Sequence, residues 1–508
     1  MENEKNSINK IAERLPTIVE AIIAMVLVIA TIIIGIRMKI GAPMSLFFGA
    51  VVSTTIAFYL RNKWEDIEKA MINMITDGTP AIIIIIIVGM IIGVWIIGGT
   101  VPALMYYGLK SCSPKIILPL TFILCSITSV FTGTSFGSVA TMGLALVGVG
   151  AGMGMPLHII AGAAVAGSYF GDKMSPLSDT TNMAPVLSGT TLYKHIGSEM
   201  FTTVPPTLIC IVIYYYIGLS YAEGAMDTTK ANIMTGILEK TFSISPWALI
   251  PAILVLFLSA IQVPAVLGLS ISLVVSIIFA IFLQSEPFAR VAAAGFAGYI
   301  DKIDANLVSD LLSNAGIATG DTVVRQYTNL VDGLLSKGGI VSIQETVTLI
   351  ICACMMGGAL HKSGVLTVFV EKGLFKMIKN PAQLVVGTMV YCYAVLLLSG
   401  NQILGIILGG RTFKDAYAEM NVHAKVLSRT LEDTNTIGAP LVPWSTAALF
   451  ITSVLGVSVA YIPYALLGFI VPMFSLLCAY TKIGMWDGNE APMWGKNKGI
   501  SPNKEQKT

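Results

Sequence analysis

Residues 116–171 contain no aspartate, glutamate, lysine or arginine. A soluble domain does not sustain such a run, because roughly one residue in four of its chain is charged. Other charge-poor stretches cover 15–36 (broken only by Glu20), 40–60, 78–109, 200–222, 241–285, 346–361, 380–410 and 434–481. A helix needs about 20 apolar residues to cross a bilayer. On that rule 116–171 holds two spans and a broken third, 434–481 holds two, and the chain carries about ten to thirteen membrane segments, some not crossing fully. The chain is 55% hydrophobic and 12% charged, with a mean hydropathy of +0.79. The expected class is an all-α polytopic membrane protein with the lipid bilayer as its solvent. The net charge is +2, and its positive residues sit in loops and tails rather than in a patch, which gives no footing for nucleic acid.

The first 14 residues are polar, and the apolar run after them is of full span length with no small-residue cleavage site. This reads as an uncleaved first helix, not a signal peptide. Lys5, Lys10 and Arg14 before it, with Arg61, Lys63 and Lys69 after the second span, place the N-terminus in the cytoplasm. The chain then divides into two similar halves. In the first, two spans precede an amphipathic stretch from Trp64 to Met71, then a long apolar helix with Gly93, Gly99 and Gly108-Leu109. In the second, two spans precede a polar segment, then Met356-Gly357-Gly358, Gly364 and Gly373-Leu374. An odd number of crossings in the first half inverts the second, giving the two inverted repeats with re-entrant or broken helices of many secondary transporters. The division is a tail at 1–14, a first transmembrane repeat at 15–222, a linker at 223–245, a second repeat at 246–481 with an extramembrane insertion at about 285–342, and a polar tail at 482–508.

Each half contains a polar block in an apolar setting. The first runs from Gly167 through Asp172-Lys173 and Ser178-Asp179-Thr180-Thr181-Asn182 to Ala184-Pro185. The second is Glu432-Asp433-Thr434-Asn435-Thr436, followed by Ala439-Pro440 and Pro443-Trp444. Prolines interrupt the helix hydrogen bonds and glycines relax the backbone, which turns carbonyls and amides toward a ligand. Carboxylates at membrane depth are costly and are read as functional by default. Asp, Ser, Thr and Asn offer hard oxygens suited to a small cation. The alternative for the first block is a polar loop at the membrane surface. Asp172 and Lys173 are candidates to pair with each other. Glu432 and Asp433 are adjacent carboxylates that resist joint ionisation in a dry site, so one is a candidate proton carrier; the alternative has Glu432 facing water and pairing with Arg429 one turn away. Two further breaks, Thr132-Gly133-Thr134-Ser135 and Ser399-Gly400-Asn401-Gln402, read either as functional or as close helix packing.

Other chemistries lack their motifs. There is no phosphate-binding Gly-Lys-Ser/Thr loop, no arginine ladder, and no nucleophile–base–orienter set, so the chain does not read as an enzyme or an ATP-driven pump. The seven cysteines are scattered through the spans and suggest neither disulfides nor a metal site. His158, His195, His361 and His423 lie near span ends or breaks and read as polar interfacial residues.

The run from Gly167 to Asn182 resembles the signature of the NhaC-type Na+/H+ antiporter family, G-x-Y-F-G-D-K-x-S-P-L-S-D-T-T-N. The resemblance extends to Gly98-Gly99-Thr100-Val101-Pro102, Thr132-Gly133-Thr134-Ser135 and Leu431-Glu432-Asp433 through Pro443-Trp444, and covers about residues 15–480. Phe136-Gly137-Ser138 stand where the family often has a tryptophan and threonines. The resemblance implies polar hairpin tips meeting near the midplane, an elevator-like movement, and exchange of Na+ for H+, coupled in some members to a small organic anion such as malate or lactate. The expected function is a secondary antiporter of the cell inner (plasma) membrane. The alternative is a Na+- or H+-coupled carrier of a dicarboxylate, lactate or an amino acid, with a channel or membrane enzyme less favoured. The expected ion- or substrate-binding residues are Asp172, Ser178, Asp179, Thr180, Thr181, Asn182, Thr134, Ser135, Asn401, Glu432, Asp433, Thr434 and Asn435. Na+ is placed at Asp179, Asn182, Asp433 and Thr434, and Asp179 ranks first because the second block repeats it as Asp433. No cofactor is expected beyond Na+ as transported or coupling ion, and the oligomeric state is left open, a homo-oligomer included.

Overall fold

The computed structural model describes residues 14–494 apart from 112, 154, 224–227, 262, 318, 337 and 370–376. Most of the 1–14 tail, part of the linker, Gly373-Leu374 and the end of the C-terminal tail therefore lie outside the described residues. The chain is an all-α, multi-pass membrane protein. Among the described residues seven helices are long and apolar enough to cross a bilayer, or up to ten if each bent pair counts as one span. Their outer surfaces explain why: Val19, Ile22, Ile23, Val26 and Leu27 on the first helix, and Leu208, Val212 and Tyr216 on a later one, all stand exposed. A helix apolar around its whole circumference is stable in that position only against lipid.

The first half runs α1 (Ile18–Arg37), α2 (Ala42–Tyr59) and the long α3 (Trp64–Ile97). At Gly98-Gly99 the chain bends by 66° into α4 (Thr100–Ser111). Then come α5 (Pro114–Thr132), the short α6 (Ser135–Ser138), a π-helical turn (Val139–Gly143) and α7 (Leu144–Gly152). α8 (Leu157–Met174) and α9 (Asp179–Ser188) flank the first polar break, and α10 (Leu192–Glu223) closes the half. α11 (Thr228–Thr241) links to the second half, which opens with α12 (Ile250–Ala260) and α13 (Ala265–Leu283). α14 (Phe288–Ala297), α15 (Ala305–Asn314) and α16 (Asp321–Leu335) form the inserted segment. α17 (Gly339–Lys362), α18 (Val365–Val368), α19 (Pro381–Ser399), α20 (Gln402–Glu419), α21 (Ala424–Gly438), α22 (Thr446–Leu455) and α23 (Leu467–Thr481) complete it.

The two halves repeat at one constant spacing, without insertion or deletion, from Pro114 to Gly189 and from Pro381 to Gly456. α5 and α19 each begin with proline and end at a left-handed glycine, Gly133 (φ 67°) and Gly400 (φ 65°). α9 and α22 follow Pro176-Leu177-Ser178 and Pro443-Trp444-Ser445 and end at left-handed Gly189 and Gly456. Packing is reciprocal: α2 lies on α17 while α13 lies on α3, and α5 lies on α8 while α19 lies on α21. In this register the counterpart of Asp179 is Thr446, and that of Asp433 is Ala166. Asp179 starts the helix after a break, whereas Asp433 lies inside the helix before one. The pairing of Asp179 with Asp433 read from the sequence is thus corrected; the duplicated element is the Pro-x-Ser break.

Gly133 and Gly400 are each pressed against the break they serve. A Cβ on Gly133 would lie 2.8 Å from the Leu177 backbone, and one on Gly400 would lie 3.0 Å from the Trp444 carbonyl oxygen. The Gly400 carbonyl also accepts the Thr446 amide at 2.9 Å. The inserted segment is not uniformly peripheral. α14 seats on α3 and α17, where a Cβ on Gly93 would meet the Ala294 carbonyl oxygen at 2.0 Å, while α15 packs outward against α11 and α16.

An alanine at a left-handed position costs about 1–2 kcal/mol from backbone sterics alone. Gly316 is also left-handed but has nothing within 4 Å of a Cβ. Gly133→Ala and Gly400→Ala are expected to lower the thermal midpoint of the detergent-solubilised protein more than Gly316→Ala does. Equal shifts from all three would contradict the wedged-break geometry.

Candidate ion-coupling site

The site is built where α8, α9, α10 and α21 converge. α8 ends at the first break with Asp172 and Lys173 in its last turn, both buried. Thr181 of α9 donates to the carbonyls of both residues at 2.9 Å, so the α8 C-terminus is satisfied by the helix that follows it. Ser135, first residue of α6, donates to Asp172 Oδ2 at 2.6 Å, and Ser178 donates to Asp172 Oδ1 at 2.8 Å. The Ser178 and Thr180 hydroxyls lie 3.0 Å apart. Ser178 has already given its hydrogen to Asp172, so Thr180 is the donor of that pair. Thr180 in turn lies beside the Glu432 carboxylate, whose two oxygens are buried with no hydrogen-bond partner. The hydroxyls of Ser178 and Thr180 therefore stand between Asp172 in the first half and Glu432 in the second. The two polar blocks meet, as the sequence implied, through the packing of α9 on α21.

Lys173 turns away from Asp172. Its ammonium lies 2.9 Å from Asp433 Oδ1 on α21 and 3.1 Å from Glu199 Oε1 on α10, and donates to Thr203 at 2.6 Å. Thr202 donates to the same Asp433 oxygen at 3.0 Å. Arg429, one turn before Asp433, has its Nε 3.8 Å from Asp433 Oδ2, and its Nη1 donates to the Gly484 carbonyl at 2.7 Å. His195 bridges Ser428 at 2.7 Å and Glu199 at 3.4 Å. Lys173, Glu199, His195, Arg429, Glu432 and Asp433 are all fully buried. Neither pairing read from the sequence is made: Lys173 does not take Asp172 as its partner, and Glu432 neither faces water nor pairs with Arg429.

Four carboxylates (Asp172, Glu199, Glu432 and Asp433) thus stand against two basic side chains (Lys173 and Arg429), a formal deficit of two positive charges. An uncompensated charge in a dry site is severely penalised. Protons or small cations are the species able to make up the difference, and hydroxyls of Ser135, Ser178, Thr180 and Thr202 supply neutral oxygens around it.

The remaining expected residues are placed elsewhere. Asp179 and Asn182 are exposed, and the Asn182 amide donates to the Pro176 and Ser178 carbonyls at 2.8 Å. Thr434 bonds back to Thr430 of its own helix at 2.8 Å. Asn435 donates to Leu431 and packs against Gly405 of α20. Asn401 caps α20 through Ile403 and Leu404, and Thr134 precedes α6 without a side-chain capping bond. Asp179, Asn182, Asp433 and Thr434 therefore do not form one Na+ shell. The sequence reading missed Lys173 as the hub and Glu199 altogether; it weighed Arg429 only as a partner of Glu432 and took His195 for a polar interfacial residue. Glu199 was taken as the edge of the charge-free run beginning at 200, but α10 begins at Leu192 and buries it two turns in. The signal that finds it is the helical spacing His195–Glu199–Thr202–Thr203, one face of charge and hydroxyl in a membrane helix.

A duplicated helical membrane fold, with paired broken hairpins enclosing a net-negative buried cluster, defines an ion-coupled secondary carrier. The Na+/H+ antiporter family matches this chain over residues 167–483. An Na+/H+ antiporter NhaC of Alkalihalophilus pseudofirmus is 34% identical over 449 residues, 88% of this chain and 92% of that protein. A malate-2H+/Na+-lactate antiporter of Bacillus subtilis is 31% identical over 475 residues, 93% of this chain and 96% of that protein. An arginine/ornithine antiporter of Halobacterium salinarum is 30% identical over 487 residues, 94% and 96% of the two chains. The chain belongs to the Na+/H+ antiporter family.

Removing one partner of a buried ion pair costs about 3–5 kcal/mol, because the other charge is stranded. Lys173→Met is expected to unfold well below the wild type in detergent, and adding Asp433→Asn is expected to recover part of the loss. Strictly additive destabilisation in this double-mutant cycle would show that Lys173 and Asp433 do not interact.

Proposed function

We propose that this chain exchanges Na+ for H+ across the cell membrane, with its N-terminus in the cytoplasm and Na+ as cargo rather than resident cofactor. The observation that carries this reading is the formal deficit of two positive charges in the buried cluster. Two protons on the carboxylates make it up; so does a cation with a single proton. Because both serve the same deficit, they compete, and a cluster holding neither stays penalised by desolvation and does not cross. Asp172 and Glu432 are the proton-exchanging pair, and the Thr180–Ser178 string carries a proton between them. Asp179 is exposed but near enough to Asp172 to act on it electrostatically, and it draws cations to the site. The repeated halves are inverted relative to each other, and their relative movement presents the cluster to one side and then the other.

A second, organic cargo has its own observation. A cavity of about 650 Å³ lies between the α1–α2 corner, α17 and α22 and reaches Pro443 of the second break. It is lined by Lys39, Glu345, Ser342 and Ser453, groups that fit a small carboxylate or an amino acid. The names of the malate/lactate and arginine/ornithine relatives make such solutes the ones to try.

Proteoliposomes loaded with a pH-sensitive dye test the main reading. External Na+ is expected to alkalinise the lumen in the wild type, and Asp172→Asn or Glu432→Gln to slow this by about a hundredfold, the scale of losing a proton-transfer group. Asp179→Asn is expected to raise the KM for Na+ while retaining turnover. Wild-type rates in Asp172→Asn would contradict the assignment.

A further inference from the structure

The segment that follows α23 was expected to be a polar tail. Its described part, 482–494, is instead laid across the end of the ion cluster. Met485 is fully buried, and Gly484 is buried with its backbone against the Phe201 ring. Trp486 and Trp494 pack on each other and on Phe201, with ring centroids 5.3–5.7 Å apart. The Lys425 ammonium sits 4.0 Å over the Trp486 ring. The Trp486 carbonyl accepts the His423 amide at 2.9 Å, and Gly488 donates to the Asn421 carbonyl at 3.1 Å. Glu490 pairs with Lys194 and, at 3.2 Å, with His423; the hydrogen bond from Lys194 holds its carboxyl below the usual range.

These anchors fall on two helices. Lys194 and Phe201 belong to α10 and flank Glu199. Lys425 belongs to α21, His423 caps it, and both lie on the approach to Asp433. Glu199 and Asp433 are the two carboxylates that share the Lys173 ammonium. The same segment reaches the cluster directly: the Gly484 carbonyl takes Arg429 Nη1 at 2.7 Å, and Met485 Sδ lies 3.8 Å from Nη2. Arg429 is the cation beside Asp433 that is not Lys173.

We propose that residues 483–494 are a clamp that sets the spacing of α10 and α21, and with it the width of the Glu199–Lys173–Asp433 triad and the place of Arg429. Gly484, Trp486 and Glu490 are positioning residues for ion selection. They touch no cargo; they determine how closely two carboxylates approach a cation competing with Lys173. This deepens the antiporter reading and rests on it for its transport arm. A carboxylate pair held at the wrong separation loses affinity for a small cation steeply, whereas the chemistry of exchange is unaffected. The clamp is therefore a KM device. It also accounts for a surface ion pair and a tryptophan cluster that the exchange itself does not use.

The test joins a distance to a transport constant. Spin labels at Tyr193, exposed on α10, and Glu419, exposed just before α21, report the spacing by pulsed electron resonance in the full-length protein. Trp486→Ala is expected to broaden that distance distribution and to raise the KM for Na+ about fivefold, with kcat within about twofold of wild type. Trp486→Phe, which keeps the aromatic stack, is expected to restore both. Glu490→Gln removes only the exposed lock and is expected to shift both measures in the same direction by less, which keeps the test open if Trp486→Ala folds poorly. An unchanged distance distribution in Trp486→Ala overturns the clamp whatever transport does, and so does a broadened one with an unchanged KM in a protein that exchanges Na+. If the wild type exchanges no Na+ while Trp486→Ala still broadens the distance, the antiporter reading fails and the clamp stands as a spacing device.

Discussion

The arrangement depends on one electrostatic constraint: four carboxylates and two basic side chains share a dry site without balancing. Lys173 is the hub, its ammonium shared by Glu199 and Asp433. The helices α8, α10 and α21 must converge to deliver these three groups, and the flanking threonines 202 and 203 satisfy what the ion pairs leave over. The negative surplus falls on Asp172 and Glu432, between which stand the hydroxyls of Ser178 and Thr180 rather than a cation. That division separates a structural ion pair from a chargeable one. The first holds the helices together until a cation competes with Lys173 for Glu199 and Asp433, and the second gives up the proton that makes room for the added charge.

The duplicated scaffold carries a singular chemistry. The Pro-x-Ser breaks, the left-handed glycines and the helix lengths repeat at constant spacing, yet the charges do not. Asp172 faces Ala439 in the register, Lys173 faces Pro440, and Glu432 and Asp433 face Val165 and Ala166. The repeat supplies two hairpins of the same construction; the unrepeated charges gather at one junction between them.

Much of this was legible in the sequence. Charge-free runs locate the helices because a bilayer penalises charge position by position, and that signal is local. The signature from Gly167 to Asn182 marked Asp172, Ser178 and Thr180, three residues that meet in the structure, and Glu432, read from the second block, lies beside them. The rest required long-range geometry. Asp179 and Asp433 look alike in a local window, but one starts a helix and the other lies within one, and only helix order distinguishes them. Lys173 beside Asp172 invites a neighbour pairing, whereas its side chain crosses to two other helices. The 482–508 tail is polar taken as a whole, and only the packed structure shows that two tryptophans and a glycine in its first part dock it onto α10 and α21.

The central claim is that Na+ and protons compete for the same buried deficit. It is tested most directly by titrating Na+ into the purified protein calorimetrically, in two buffers of different ionisation enthalpy. The account predicts that Na+ binding releases protons, that the release is largest where the carboxylates of the free protein are protonated, and that it falls in a variant lacking the Asp172 carboxylate. Na+ binding with the same enthalpy in both buffers at every pH, and hence no proton release, would contradict it.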